Sequence, residues 1–543
     1  MALERNLASI WEAVADRVGD APAIVQGSLR RSWTDFDDRS ARLASAFAAV
    51  GVGPGSKVAQ YLYNSAEYME SFNAAIKLRA IPVNVNYRYL DDELLYLLEN
   101  SESEVLVFHS SLGERVERVA ERATKVKLFV EVADTDGDGG PSVGSSFDEL
   151  VAANDPAARI SRQEDDILMT YTGGTTGMPK GVMSRMKGSV DTYLGSVPVV
   201  LGMAPLSEPE EIVTTAGQLF DEDRQYASMP ACPLMHGTGM GIGALPATTF
   251  GGRLVLLVGR GLDVDELWST VERESVNAIT IVGDAFARPL LRALDEGPKR
   301  DLTSLNLLLS AGSMFSAEIK GGLLEHLETC MIIDYIAATE GAMGISISTK
   351  GNPAPTGRFI PNPGVKVLTE DGREVTAGSG ETGMVAIGGS IPDGYFHDDE
   401  KTAKTFKEFD GVRYSIPGDW ATVEADGMIT LLGRGSQCIN TGGEKVFPEE
   451  VEEVLKRHAA VEDALVFGIP DERFGQRVVA VASLSPGAAA EADAIVEGVR
   501  DQLSSFKLPR QVVVVDEVPR APNGKADYPR ARELFEISSS PRQ

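Results

Sequence analysis

Short apolar runs separated by helix-length segments recur along the chain, and that alternation limits the fold more than any other feature. Leu254-Val-Leu-Leu-Val258, Ala278-Ile-Thr-Ile-Val282, Leu307-Leu-Leu309 and Met331-Ile-Ile333 are strand-length stretches without polar alternation. Such runs suit strands covered on both faces. Strands alternating with helices predict α/β layers built on largely parallel sheets. In these sheets ligands gather beyond the carboxyl ends of the strands. Nearer the N-terminus, Ser40 to Val50 reads as a helix closed by Gly51, and Val105–Phe108 and Leu128–Val132 read as buried strands. Asp134 to Ser146 is rich in Gly, Asp and Ser and reads as a mobile loop.

At 543 residues the chain exceeds one ordinary core, so a second domain is expected. Asp-Gly turns at Asp371-Gly372 and Asp426-Gly427 mark a change to short strands, giving a small β subdomain over about 357–433. After Gly433-Arg434-Gly435-Ser436 a new helix, Glu449 to Lys456, opens a further α/β pattern. The expected division is therefore a large domain over 1–433 and a smaller, mobile α/β domain over 434–543, of ordinary size for a domain.

A net charge of −29 argues against nucleic acid or an anionic membrane as partner, and it means that an anionic ligand needs locally placed donors. Cys232, Cys330 and Cys438 show no metal spacing. With no signal peptide and no apolar stretch of membrane-spanning length, a cytoplasmic setting is expected.

One residue after Ile167-Leu-Met comes Tyr171-Thr-Gly-Gly-Thr-Thr-Gly-Met-Pro-Lys180-Gly181. Gly173, Gly174, Gly177 and Gly181 permit positive φ and close approach of backbone N–H groups to an anion. Thr172, Thr175 and Thr176 add hydroxyls, and Lys180 adds a point charge. The set suits a triphosphate. It is not a Walker loop, because Pro179 precedes the lysine and Gly181 follows it.

This run resembles the phosphate loop of the adenylate-forming superfamily, which includes acyl-CoA synthetases, peptide-synthetase adenylation domains and luciferases. The resemblance extends over most of the chain. It implies ATP, Mg²⁺ and CoA as cofactors, with Glu340 of Thr339-Glu340 and Thr175 at the metal. Counting back from that pair places Ile336 and Ala337 where the family has an aromatic residue and a glycine. Ile336, rather than Tyr335, is then expected against the adenine, with Ala338 and Thr339 nearby. Gly312 and Ser313 resemble a second adenine-binding segment. Asp419 is expected at the ribose hydroxyls and Arg434 at ribose and phosphate, with the hinge near Ser436. His236, in Pro233-Leu-Met-His, matches the motif beside the acyl pocket. Gly442, Gly443 and Lys445 resemble the loop that admits CoA, and Lys525 the lysine that reaches the carboxylate and α-phosphate.

Val282-Gly-Asp-Ala-Phe-Ala-Arg-Pro289, Ile391-Pro-Asp-Gly-Tyr-Phe396 and Val412 to Asp419 are similar to actinobacterial FadD-type acyl-CoA synthetases acting on steroid side chains. The implied reaction joins a carboxylic acid to CoA through an acyl-adenylate, releasing AMP and pyrophosphate. The acid implied is bulky and hydrophobic: fatty, steroid side-chain or aryl. Gly237, Gly239, Gly241 and Gly243 suit either a roomy pocket or a tight loop. An enzyme that loads a carrier protein and a non-catalytic nucleotide- or acyl-binding protein are the alternatives, and a homo-oligomer is left open.

Overall fold

The computed structural model describes residues 3–134, 143–174, 177–441, 444–471, 474–521 and 524–539; Arg434, Ser436 and Lys445 are described in their backbone only. Most of the segment expected to be a mobile loop, 135–142, lies outside the described residues.

The apolar runs form one parallel array. Strands Pro22–Gln26, Arg253–Leu256, Ala227–Pro230, Ala278–Ile281, Leu307–Ala311 and Met331–Ala338 lie side by side in that order. Every neighbouring pair among them is parallel. One face packs on helices Val264–Glu274 and Gly283–Glu296 through Trp268, Phe286 and Leu290. Strand Gly341–Ser348 then turns back antiparallel to Met331–Ala338, and the sheet continues into the short strands of 358–434. Gly372 and Gly427 take φ of +86° and +83°, as the Asp-Gly turns require.

A second sheet carries parallel strands Lys57–Tyr61, Ile81–Asn84, Ser103–His109 and Leu128–Val132, and continues through the hairpin Ile167–Gly174/Gly177–Arg185 to the short edge strand Gly394–Tyr395. The helix expected from Ser40 begins earlier and spans Trp33–Ala49. Ser32 and Asp35 cap it reciprocally, Asp35 N–H donating to Ser32 Oγ and Ser32 N–H to Asp35 Oδ2.

The smaller C-terminal domain is a five-stranded sheet covered on both faces. Successive residues of Ala464-Leu-Val-Phe467 alternate between its two cores. Helix Pro448–Lys456 closes one face and helix Tyr528–Ser539 the other, the latter through Ala531 and Phe535. Among the described residues no helix is long and apolar enough to cross a membrane.

Candidate active site

The described parts of the glycine-rich run, on either side of residues 175–176, form two paired antiparallel strands. Thr172 pairs with Lys180 and Gly174 with Gly177. Gly181 does not use positive φ. A Cβ there would sit 2.7 Å from the Tyr171 ring, so the glycine serves close packing across the hairpin. Asn84 fixes this strand: Tyr171 N–H donates to its Oδ1 at 2.7 Å, and its amide donates to the carbonyls of Tyr171 and Met235 at 2.9 and 2.7 Å. Asn64 holds the next stretch by accepting from Leu234 N–H and donating to Cys232 O. Together the two asparagines set His236 against the hairpin.

A cavity of about 1150 Å³ opens at the carboxyl ends of the parallel strands. Thr172, Lys180, His236 and Gly312 lie on its wall, as do Ala337, Ala338, Thr339 and Glu340. Lys525, from the smaller domain, also lines it. Its Cε comes within 3.7 Å of where a Gly312 Cβ would stand, and Gly312 has φ +91°. The Lys525 loop is braced by Arg520, which grips Asp463 through two nitrogens and donates to Gly524 O. Gly524 meets Val282 and Ala285 of the large domain.

Glu340 sits in the turn between strands Met331–Ala338 and Gly341–Ser348. Its Oε1 accepts a hydrogen bond from Tyr395 Oη. Tyr395 is delivered by a short strand paired to the glycine hairpin, opposite Val182. Lys180 is ion-paired with Asp398, whose carboxyl that contact and the Lys401 N–H hold below its usual range. Burial pushes the His236 imidazole down to about 4, and the nearby Lys525 ammonium adds to the shift. His236 is therefore neutral at pH 7.

Tyr335 and Ala337 face the cavity, whereas Ile336 is buried with Met343, Phe359 and Ile387 on the opposite side. Strand alternation does separate Tyr335 from Ile336, but the tyrosine is the one on the cavity face. Asp419 is buried and stands opposite Arg434 in the strand register, while Pro417 reaches the cavity wall. Ser313 follows Gly312 but is not on the wall. Thr175, Thr176, Gly442 and Gly443 lie outside the described residues, as does the side chain of Lys445.

The Glu340 carboxylate offers oxygen to a hard cation, and no group of three or more metal-ligating side chains occurs among the described residues. That donor set fits Mg²⁺, which keeps water and phosphate as most of its ligands.

The remainder of the cavity is a long arm. Leu307, Leu309 and Ala311 line it from alternate positions of one strand. Across from them, helix Met186–Val200 presents Ser189, Thr192, Tyr193, Ser196, Val197 and Val200 at helical spacing. A π-helical stretch, Thr238–Ala244, closes a third side. Of its glycines, Gly239 and Gly243 are packed against Pro233 and Pro230, while Gly241 has open space beside it.

The fold is that of the AMP-binding enzymes, and the chain belongs to that family: residues 11–396 match the AMP-binding enzyme family and residues 450–525 its C-terminal domain. It is an acyl-CoA ligase, and its reaction uses ATP, Mg²⁺ and CoA. The 3-oxocholest-4-en-26-oate–CoA ligase of Rhodococcus rhodochrous is 40% identical over 97% of this chain and 95% of its own. A medium/long-chain-fatty-acid–CoA/3-oxocholest-4-en-26-oate–CoA ligase of Mycobacterium marinum is 39% identical over 99% and 98%. The anthranilate CoA ligase AuaEII, solved with anthranoyl-AMP, superposes with a TM-score of 0.81 at 24% identity, covering 99% of each chain, which shows the shared fold.

Proposed function

We propose that this ligase activates a bulky hydrophobic acid, a steroid side-chain or long fatty acid, and that Lys525 and Glu340 serve its first half-reaction. The observation that carries this reading is the junction of two compartments at Gly312, where Lys525 stands between a polar hairpin and an apolar arm.

In adenylation a carboxylate oxygen bonds to the α-phosphorus of ATP as the bond to the bridging oxygen breaks and pyrophosphate departs. Lys525 draws the carboxylate and α-phosphate together and offsets their combined negative charge. Thr172, Lys180 and the hairpin glycines hold the leaving phosphates, and Lys180 exchanges Asp398 for them. Glu340, with Thr175, would hold Mg²⁺, which would supply charge neutralisation at the phosphates. Tyr395 keeps the Glu340 carboxylate turned toward them. Asp419 and Arg434 take the ribose side, with Gly312, Ser313 and Ala337 to Thr339 near the base. His236, neutral, lines the acyl entrance. In the second half-reaction the CoA thiol sulfur bonds to the acyl carbon and AMP leaves. The smaller domain pivots near Ser436 to bring Gly442, Gly443 and Lys445 over the site. The buried thiols of Cys232 and Cys330 are consistent with a cytoplasmic setting, which is part of this proposal.

Lys525→Ala should lower acid-dependent pyrophosphate release roughly 10²- to 10³-fold, the scale for losing one charge-stabilising group. CoA attack on supplied acyl-adenylate should continue. Unchanged pyrophosphate release would remove Lys525 from the reaction. A pyrophosphate-release screen of steroid, fatty and aryl acids tests the substrate.

A further inference from the structure

A row of polar residues runs directly behind one wall of the cavity. Tyr335 and Ala337 of strand Met331–Ala338 and Ala311 of strand Leu307–Ala311 are on the wall, so their neighbours Asp334 and Ser310 face the other way. The register places Asp334 beside Ser310 on one side and Ser346 on the other. Lys320 reaches this row from helix Ala317–His326. Its Nζ lies 3.2 Å from Asp334 Oδ2, donates to Ser346 Oγ at 3.4 Å and stands 5.3 Å from the centre of the Phe315 ring. The Lys320 and Asp334 side chains are 1% and 5% exposed.

Sealing both charges inside costs desolvation free energy. Burial holds the Asp334 carboxyl up at about 6, although the ammonium beside it pulls the other way. Apolar residues of similar volume often serve a core as well or better. What an ion pair adds is one defined placement of the segments that carry its partners. Lys320 follows the segment Gly312–Ser316, whose other side is held by Asp284. The Asp284 N–H donates to Met314 O at 2.9 Å, and its carboxylate accepts from Ser316 N–H and Oγ. Asp334 immediately precedes Tyr335–Glu340, the strand end and turn that meet the same cavity. We propose that Lys320 and Asp334 are positioning residues for ATP, clamping Gly312–Ser316 to Tyr335–Glu340 so that the two segments flank the adenine at a fixed spacing.

This inference rests on the placement of the base in the proposed mechanism. It adds two residues that touch no substrate and act through the wall they hold.

The test is Lys320→Met combined with Asp334→Asn, which removes both charges and keeps the side-chain lengths. The readouts are rates of pyrophosphate release, product inhibition and Tm. Lys320→Met alone leaves a buried carboxylate unpaired and should lower Tm, and the double variant should recover most of that loss. KM for ATP should nevertheless stay raised roughly tenfold in the double variant, less than a misplacement of 1 Å can cost, with KM for the acid unchanged. AMP should weaken as an inhibitor by the same factor and pyrophosphate should not, because only AMP carries the base. Ser346→Ala removes one contact of the ammonium without unpairing a charge. It should shift the same two quantities in the same direction to a smaller extent, and it carries the test if the double variant fails to fold. A wild-type KM for ATP in the folded variants, or equal weakening of AMP and pyrophosphate, would overturn the proposal and leave the pair as core packing. Ala337→Phe, on the wall itself, separates this outcome from the parent reading. If it blocks AMP while the pair variants bind AMP normally, the proposal alone falls. If it leaves AMP binding undisturbed, the base placement falls and the proposal with it.

Discussion

His109 and His236 are both held neutral by burial, each with its imidazole pushed down to about 4. His109 is the more enclosed: its Nδ1 accepts from Tyr63 N–H at 3.1 Å, with Asp134 opposing the shift and Arg260 adding to it. An unfolded histidine titrates near 6.5. Between about 4 and 6.5 the unfolded chain therefore binds more protons than the folded one, and stability rises with pH across that window. The contribution is complete above 6.5 and is lost as pH falls through 4. For His109 the full span is on the order of 3 kcal/mol. His109→Gln keeps an acceptor for Tyr63 and removes the titration. Its Tm should start lower at pH 7 yet fall less by pH 4 than that of the wild type. Parallel curves would show that His109 is not buried neutral.

At this scale the sequence was legible where a motif carried its own chemistry and silent where a partner came from elsewhere. Glu340 and Lys525 could be picked out by their neighbours in the chain. Tyr395, 55 residues from the carboxylate it holds, could not. Asn64 and Asn84 orient the site through backbone groups, which leaves no residue pattern to read. The side that Ile336 faces was unreadable for a different reason. Two-residue alternation tells that neighbours face opposite ways, but which face meets the cavity depends on the sheet's packing.

Among the elements, the parallel strands were readable because continuous burial writes continuous apolar runs. The early start of helix Trp33–Ala49 was also present in the sequence, as the Ser32/Asp35 pair, but the apolar pattern alone points to Ser40. The π-helical stretch Thr238–Ala244 has no such signature, and its glycines cannot be sorted without coordinates. A Cβ at Gly243 would come 2.9 Å from Pro230 and 3.1 Å from Thr280, whereas nothing lies within 4 Å at Gly241. Gly241→Leu should consequently fold, helped by better helix propensity, and project into the arm. Overfilling a packed space typically costs about 1–3 kcal/mol, so kcat/KM for a steroid or long-chain acid should fall roughly ten- to a hundredfold. Short acids should be spared. Uniform loss across short and bulky acids, at unchanged Tm, would show that Gly241 does not border the acyl group.

For the whole molecule, the proposed mechanism has the arrangement of the two domains decide which half-reaction is assembled. Here the smaller domain is docked so that Lys525 reaches Gly312. One contact across the junction is electrostatic: Arg292 of helix Gly283–Glu296 donates to Glu462 at 2.7 Å. Both side chains are partly exposed, so the pair is worth no more than about 1 kcal/mol. That is still enough to bias a docking equilibrium, since a ligase that alternates between two placements gains nothing from holding one tightly. Glu462→Arg replaces attraction by repulsion and should slow adenylation several-fold while leaving CoA attack on supplied acyl-adenylate unimpaired. The wild type should approach the variant as salt screens the pair. Arg292→Glu combined with Glu462→Arg should recover the adenylation rate, because the charges are exchanged and the geometry kept. If the single variant slowed both half-reactions equally, or the double reversal failed to rescue, the bridge would be incidental. The docked placement would then rest on the apolar seat of Gly524 against Val282 and Ala285.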